Sequence, residues 1–319
     1  MVATPLVYGP AHMLLIAAVA RRHYVRGQSK LAIAEELGMS RFKVARLLDQ
    51  ARTSGLVRIE IGLPGVIDVE LSGQIEDTFG IRHAVVLRVP DDDETAVRSQ
   101  VGRAAAELLQ EIVEPGDVLG LTWSRSVTAM VGHITQLPAV PIVQLCGALA
   151  QTYGDENSVE LVRQVARVAG GPAYYFYVPM IVNSAATAAA LRQQPEVSNC
   201  FTHFTDVTKA VAGIGLWAPG KSTLYDSVSE HDQHELDEQG VCAEVAGVFI
   251  DIDGQFVQTR LSDRVIGISG PLLRDIPEVI GVPYDHTKAT AVRAALRSGI
   301  VNGLVTHTSM ATALLALGP

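Results

Sequence analysis

The chain has 319 residues, a formal net charge of −9, 48% hydrophobic residues and 18% charged ones. This is too long for one small domain, and the composition permits a large buried core. The three cysteines (Cys146, Cys200 and Cys242) form no CxxC or Cys/His ligand pattern. That fits a reducing cytosol and argues against a bound metal.

Residues 1–9 read as a loose tail. Residues 11–26 form a first helix, with Met13, Leu14, Ala17, Ala18 and Tyr24 available to pack on the two helices after it. Its apolar run, Met13 to Ala20, is short, lacks a basic stretch before it and ends at Arg21-Arg22. It is therefore a buried helix rather than a signal, and no run approaches membrane-spanning length. A cytoplasmic protein without a membrane partner is expected.

Residues 28–48 read as two short helices around a tight turn. Ser29 occupies an N-cap position, and Leu31, Ile33, Ala34 and Leu37 come after it at helical spacing. Gly38 supplies the turn. Ser40 caps a second helix reaching Arg52, whose inner face is Val44, Leu47 and Leu48. Arg41, Lys43 and Arg46 lie near its start and off that stripe, at the end a recognition helix presents to the major groove. An ordinary helical hairpin has the same outline, but three features favour a helix-turn-helix. The two Ser caps stand eleven residues apart with Gly-Met between the helices, and residues 55–61 alternate as the wing of a winged helix would. Residues 21–60 also hold nine Lys or Arg against four acids, +5, which leaves −14 for the rest of the chain. A basic island in an acidic protein is the footprint of a module that meets phosphates. Ser29, Ser40, Arg41, Lys43 and Arg46 are the candidate DNA contacts. Gly62-Leu63-Pro64-Gly65 breaks regular structure, so the boundary falls between residues 1–62 and 63–319.

The second part begins with helix 69–79, strand 84–87, a solvated acidic loop at 90–94 and helix 95–113. Next come strand 118–122, helix 125–135, strand 140–146, helix 156–169, strand 173–178, helix 183–192 and strand 207–216. The chain closes with strand 278–282, helix 287–298, strand 301–305 and helix 308–317. Short apolar strands between helices predict an α/β domain with a mainly parallel sheet covered on both faces. Ligands of such sheets sit beyond the carboxyl ends of the strands.

Several strand ends carry polar groups. Thr122, Trp123, Ser124 and Ser126 come after one strand and open a helix, where hydroxyls and free amides suit a phosphate or a polyol; simple N-capping by either Ser is the alternative. Gln144 and Gly147 end the next strand. Asn183-Ser184 either caps a helix or lines a site. Glu244, inside the apolar stretch 241–248, needs a partner such as a sugar hydroxyl or a Lys. Lys288, in the first turn of a helix, opposes the helix dipole and favours an anion or carbonyl nearby. Asp253-Gly254 reads as turn chemistry, and His231, Asp232 and His234 as a solvated helix face.

Together the segments 40–48, 101–106, 120–124, 249–254, 263–268, 288–289 and 294–299 make the chain resemble the SorC family of sugar-responsive bacterial transcriptional regulators over essentially its whole length. The resemblance implies an effector domain of the NagB/RpiA/CoA-transferase-like type after the helix-turn-helix. It also implies a homotetramer, operator DNA as partner, and a sugar, polyol or sugar phosphate as effector, with no cofactor and no catalysis. By match to the family's pattern the ligand loops are 122–126 and 144–148, with Glu244 at the acidic position and Lys288 at the Lys after the last strand. Two segments depart from it: Cys146-Gly147-Ala148 replaces Asn-Gly-Gly, and Pro283-Tyr284-Asp285-His286 replaces a Gly-Gly loop. Both enlarge the side chains around the pocket, and Asp285 adds negative charge, which leaves room for an unphosphorylated sugar or polyol. The rival reading is a sugar-phosphate isomerase or deaminase-like enzyme in which Glu244 and Lys288 act as acid and base.

Overall fold

The computed structural model describes residues 9–57, 66–90, 93–149 and 157–319. The chain forms two compact units, Met1–Gly62 and Leu63–Pro319. Among the described residues no helix is long and apolar enough to cross a membrane.

The first unit holds α1 (Pro10–Ala20), which runs into one π-helical turn (Arg21–Val25), then α2 (Lys30–Glu36) and α3 (Arg41–Thr53). Ser29 Oγ accepts from the Ala32 N–H at 3.1 Å, and Ser40 Oγ from the Lys43 N–H at 3.2 Å, so each caps the helix it precedes. Ile33, Val44, Leu47, Leu48 and Ala51 pack on Ile16, Val19 and Ala20 of α1. The inner face of α1 is thus rotated from the expected one: Leu14 is 72% exposed and Tyr24 also faces solvent. The stretch is apolar on every side and offers no periodicity to orient it. Residues 58–61 of the expected wing lie outside the described residues, as do residues 1–8 of the tail and 91–92 of the acidic loop.

The second unit is built on a seven-stranded sheet in the order β1-β10-β9-β5-β2-β3-β4. Its strands are β1 (His83–Leu87), β2 (Leu119–Leu121), β3 (Ile142–Gln144), β4 (Ala173–Tyr174), β5 (Lys209–Ala212), β9 (Glu278–Gly281) and β10 (Gly303–His307). Every pairing is parallel. Successive strand residues enter opposite cores. Ala210 and Ala212, Val279 and Leu304 join one, while Val211, Ile280 and Val305 join the other. The second core is closed by α5 (Glu94–Ile112), α6 (Arg125–Val131) and α7 (Ser158–Ala169). The first is closed by α4 (Val69–Phe79), α8 (Ala185–Arg192), α9 (Pro195–Thr202), α13 (Ala289–Arg297) and α14 (Thr308–Leu317). The expected parallel sheet with helices on both faces is present.

One expected strand divides. Residues 207–216 give β5 and then, past Gly213-Ile214, β6 (Gly215–Leu216), which leaves the main sheet. β6 joins β7 (Val241–Val245) and β8 (Val248–Asp251) in a three-stranded antiparallel sheet that the sequence pattern does not reveal. α10 (Thr223–Ser227) and α11 (Glu230–Glu238) connect β6 to β7, and α12 (Gly270–Asp275) precedes β9. On α11, Asp232 binds the Arg264 guanidinium and the Ser229 hydroxyl, while His234 pairs with Glu238. Expected strand 301–305 is displaced to 303–307 because the Asn302 side chain accepts from the Val279 N–H, tying that residue to the start of β9.

Candidate functional site

β9, β5 and β2 are adjacent in the centre of the main sheet. A cleft opens at their carboxyl ends, where open α/β sheets bind ligands. Its walls come from Trp123–Ser126 after β2, Gly213–Gly215 after β5, Val282–Tyr284 and Lys288 after β9, Lys221–Leu224 before and within α10, and Glu244 on β7.

The β2 end is shaped by capping. Ser124 Oγ accepts from the Val127 N–H at 3.1 Å and lies 3.1 Å from Ser126 Oγ, so both hydroxyls stand at the first turn of α6. Arg125, the first residue of α6, is exposed at the same place.

Glu244 enters from the small sheet. Its partner in the register is Gly215, and a Cβ at Gly215 would lie 2.3 Å from Glu244 Oε1; glycine is what makes room for the carboxylate. Ser222 Oγ donates to Oε1 at 2.9 Å, and the Gly247 N–H donates to Oε2 at 3.4 Å. Burial pushes the Glu244 carboxyl up, against the pull of Ser222, Gly247 and Lys288.

Lys288 is the N-cap residue of α13, after a single 3₁₀ turn at His286–Lys288. Burial lowers its ammonium, as do the neighbouring charges of Arg125 and Lys221, while Asp285 and Glu244 oppose them. Its Nζ sits 5.8 Å from the centroid of the Tyr284 ring, which Arg98 approaches at 5.7 Å. Asp285 is held by Lys221 Nζ at 2.8 Å and by the Thr287 hydroxyl and N–H at 2.7 and 3.0 Å. Among the described residues neither Arg125 nor Lys288 has a carboxylate at ion-pair distance.

Five of the eight expected effector residues come together here: Trp123, Ser124, Ser126, Glu244 and Lys288. The other three are buried behind the cleft. The Thr122 hydroxyl donates to the Val211 carbonyl and accepts from the Gly213 N–H, tying β2 to β5. Gln144 donates to the Cys146 carbonyl and the Ser158 hydroxyl and accepts from the Phe176 N–H. Gly147 lets two backbones cross, since a Cβ there would lie 2.7 Å from Met180 N and Cα. Ser184 caps α8 through the Thr187 N–H. Lys221 and Ser222 line the cleft although the sequence pattern does not mark them as contacts, and Tyr284 lines it from the 283–286 loop. Lys221 and Ser222 sit between β6 and α10 without any strand signal; the one cue is Ser222 preceding a short helix.

On the first unit, Arg41, Lys43 and Arg46 are all exposed on α3. The Ser29 and Ser40 oxygens serve as caps, which leaves each hydroxyl hydrogen available to a phosphate. Arg22 is held by Glu36 at 3.0 Å and contributes no free charge to this basic island.

A family model described as "Putative sugar-binding domain" matches residues 66–316. The transcriptional regulator LsrR of Klebsiella pneumoniae subsp. pneumoniae is 29% identical over 310 residues, 95% of this chain and 93% of its own. The erythritol catabolism regulatory protein EryD of Brucella abortus is 27% identical over 299 residues, 92% of this chain and 93% of its own. The structure of the full-length sorbitol operon regulator SorC from Klebsiella pneumoniae superposes with a TM-score of 0.74 at 24% identity, over 96% of this chain and 99% of that one. The last likeness speaks for the fold. The relatives are named as regulators, which sets aside the isomerase reading of Glu244 and Lys288. The chain belongs to the sugar-binding domain family, and with it to the SorC-type transcriptional regulators.

Proposed function

We propose that residues 1–62 bind operator DNA through α3 and that the cleft of residues 63–319 binds a sugar-derived effector bearing a negative charge. The observation that carries the effector class is the pair Arg125 and Lys288, two cations without a carboxylate partner among the described residues, beside the Ser124 and Ser126 hydroxyls. Asp285 does not cancel them, because its charge is spent on Lys221. A phosphate or carboxylate of the effector takes that end, while Ser222 and Glu244 meet hydroxyls at the other. Relatives named for erythritol catabolism and for a sorbitol operon support a polyol-derived skeleton.

Effector binding shifts a population of subunit arrangements. A coupling of roughly 1–3 kcal/mol changes operator affinity about 5–150-fold. A cytoplasmic homotetramer, pairing recognition helices on palindromic half-sites, completes this reading. The test is a thermal-shift panel of tetritols, pentitols, hexitols, pentoses and hexoses with their phosphates, then operator titration with any hit. A ligand at a hundred times its Kd adds roughly 2.7 kcal/mol of stability. Hits confined to the phosphates support the charged effector. Hits among neutral polyols alone overturn it, and a hit that leaves operator affinity unmoved overturns the coupling.

A further inference from the structure

Phe42 is 87% exposed, the most exposed large hydrophobic side chain among the described residues. It lies on α3, whose buried stripe is Val44, Leu47, Leu48 and Ala51. At about 100° of turn per residue, Phe42 stands about 170° from the centre of that stripe, so it is the outermost residue in the first three turns of the helix. Arg46 falls about 40° from it, and Arg41 and Lys43 about 100° to either side. All three cations are exposed. The acid on this face, Asp49, lies two turns further on and is bound to Arg52 at 3.0 Å.

An aromatic ring left in water at the centre of a basic face fits one occupant by charge, a nucleic-acid groove. A helix lying in the major groove brings its outermost residue to the floor and its flanks to the phosphate walls. The floor presents one apolar feature, the C5-methyl group of thymine. We infer that Phe42 reads thymine methyl groups of the operator, while Arg41, Lys43 and Arg46 hold the phosphates and base edges around it. This rests on the proposal that α3 is the recognition helix and adds a specificity-determining residue to it.

The full-length chain and its Phe42→Ala variant are each used to select binding sites from a pool of random duplexes. The wild-type site is then resynthesised with deoxyuridine in place of one thymidine at a time, a change that removes only the methyl group. The expected result is at least one position where uracil weakens wild-type binding about 5- to 10-fold while Phe42→Ala, already weaker there, is unaffected. The slope of log affinity against log salt stays the same in Phe42→Ala and falls by about 0.9 in Lys43→Ala, which loses a phosphate contact. Identical selected sites and identical uracil responses for wild type and variant overturn the inference and leave DNA binding standing. A changed subunit number with unchanged DNA affinity overturns it too, by assigning the ring to a protein contact. Failure of the wild type to enrich any sequence removes the DNA-reading proposal itself.

Discussion

Lys221 Nζ and Asp285 Oδ2 lie 2.8 Å apart beside the cleft at the strand ends, so the carboxylate that the 283–286 loop brings there arrives already paired. Burial pushes the Asp285 carboxyl up, but hydrogen bonds from Lys221 and Thr287 outweigh it and hold it at about 2, below its ordinary 3.8.

A folded-state value below the unfolded one means that this carboxylate contributes stability above about pH 4, and that the contribution disappears as pH falls toward 2. At neutral pH it amounts to at most about 2 kcal/mol, because the Lys221 side chain is a third exposed and screened by water. Asp285→Asn is expected to lower the urea midpoint at pH 7, with the difference from wild type closing by pH 2. A gap that persists unchanged at pH 2 would show that packing, not charge, accounts for it. The same variant frees Lys221 and should bind phosphorylated ligands more tightly than wild type.

Lys288 behaves in the opposite way. Its ammonium is held below the ordinary lysine value, chiefly by burial, so carrying that charge costs the fold stability at neutral pH. Lys288→Met should therefore raise the thermal midpoint of the effector-free protein at pH 7. The gain should shrink at alkaline pH, where the lysine is neutral in both states. On the proposed role of Lys288 as a charge partner of the effector, the variant should lose at least about 30-fold in effector affinity. Operator affinity without effector stays at the wild-type level. Calorimetry and operator titration read the two effects separately, and a lowered midpoint would contradict the sign.

The main sheet was legible because its strands carry apolar residues on both faces, as Ala210, Val211 and Ala212 do on β5. The small antiparallel sheet was not. Residues 210–216 are continuously apolar across the break, and what divides β5 from β6 is a long-range fact, the pairing of Gly215 with Glu244. The same limit applies to the site. Glu244 and Lys288 stood out because a charge in an apolar stretch needs a partner, whereas Lys221 sits in a polar segment where lysine is unremarkable. Thr122, Gln144 and Gly147 were at strand ends, but nothing in a sequence says which side of a strand end faces the ligand.

Gly147 shows how sharply packing can imitate function. A Cβ there would lie 2.7 Å from two Met180 backbone atoms and 2.8 Å from the Pro179 carbonyl carbon, none of which can swing aside. Gly147→Ala should destabilise the second unit by about 2 kcal/mol or more, at the upper end of the cost of overpacking. Its effector affinity, measured on the fraction that remains folded, should be close to wild type. A stable variant with weakened effector binding would return Gly147 to the ligand loop.

Ser40 separates capping from DNA contact. Its hydroxyl oxygen accepts from the Lys43 N–H at 3.2 Å, a bond typically worth about 1 kcal/mol to the helix it starts. Ser40→Ala should speed amide exchange in the first turn of α3 and weaken operator binding modestly. Ser40→Asp keeps an oxygen acceptor for the cap and suits the helix dipole, so the helix should be at least as stable as in the wild type. If the Ser40 hydroxyl also donates to an operator phosphate, the aspartate meets that phosphate with like charge. Binding should then fall well over 10-fold below Ser40→Ala in spite of the better cap. The order of the two variants is the readout: stability and affinity rank them oppositely if Ser40 touches DNA, and rank them alike if Ser40 is a cap alone.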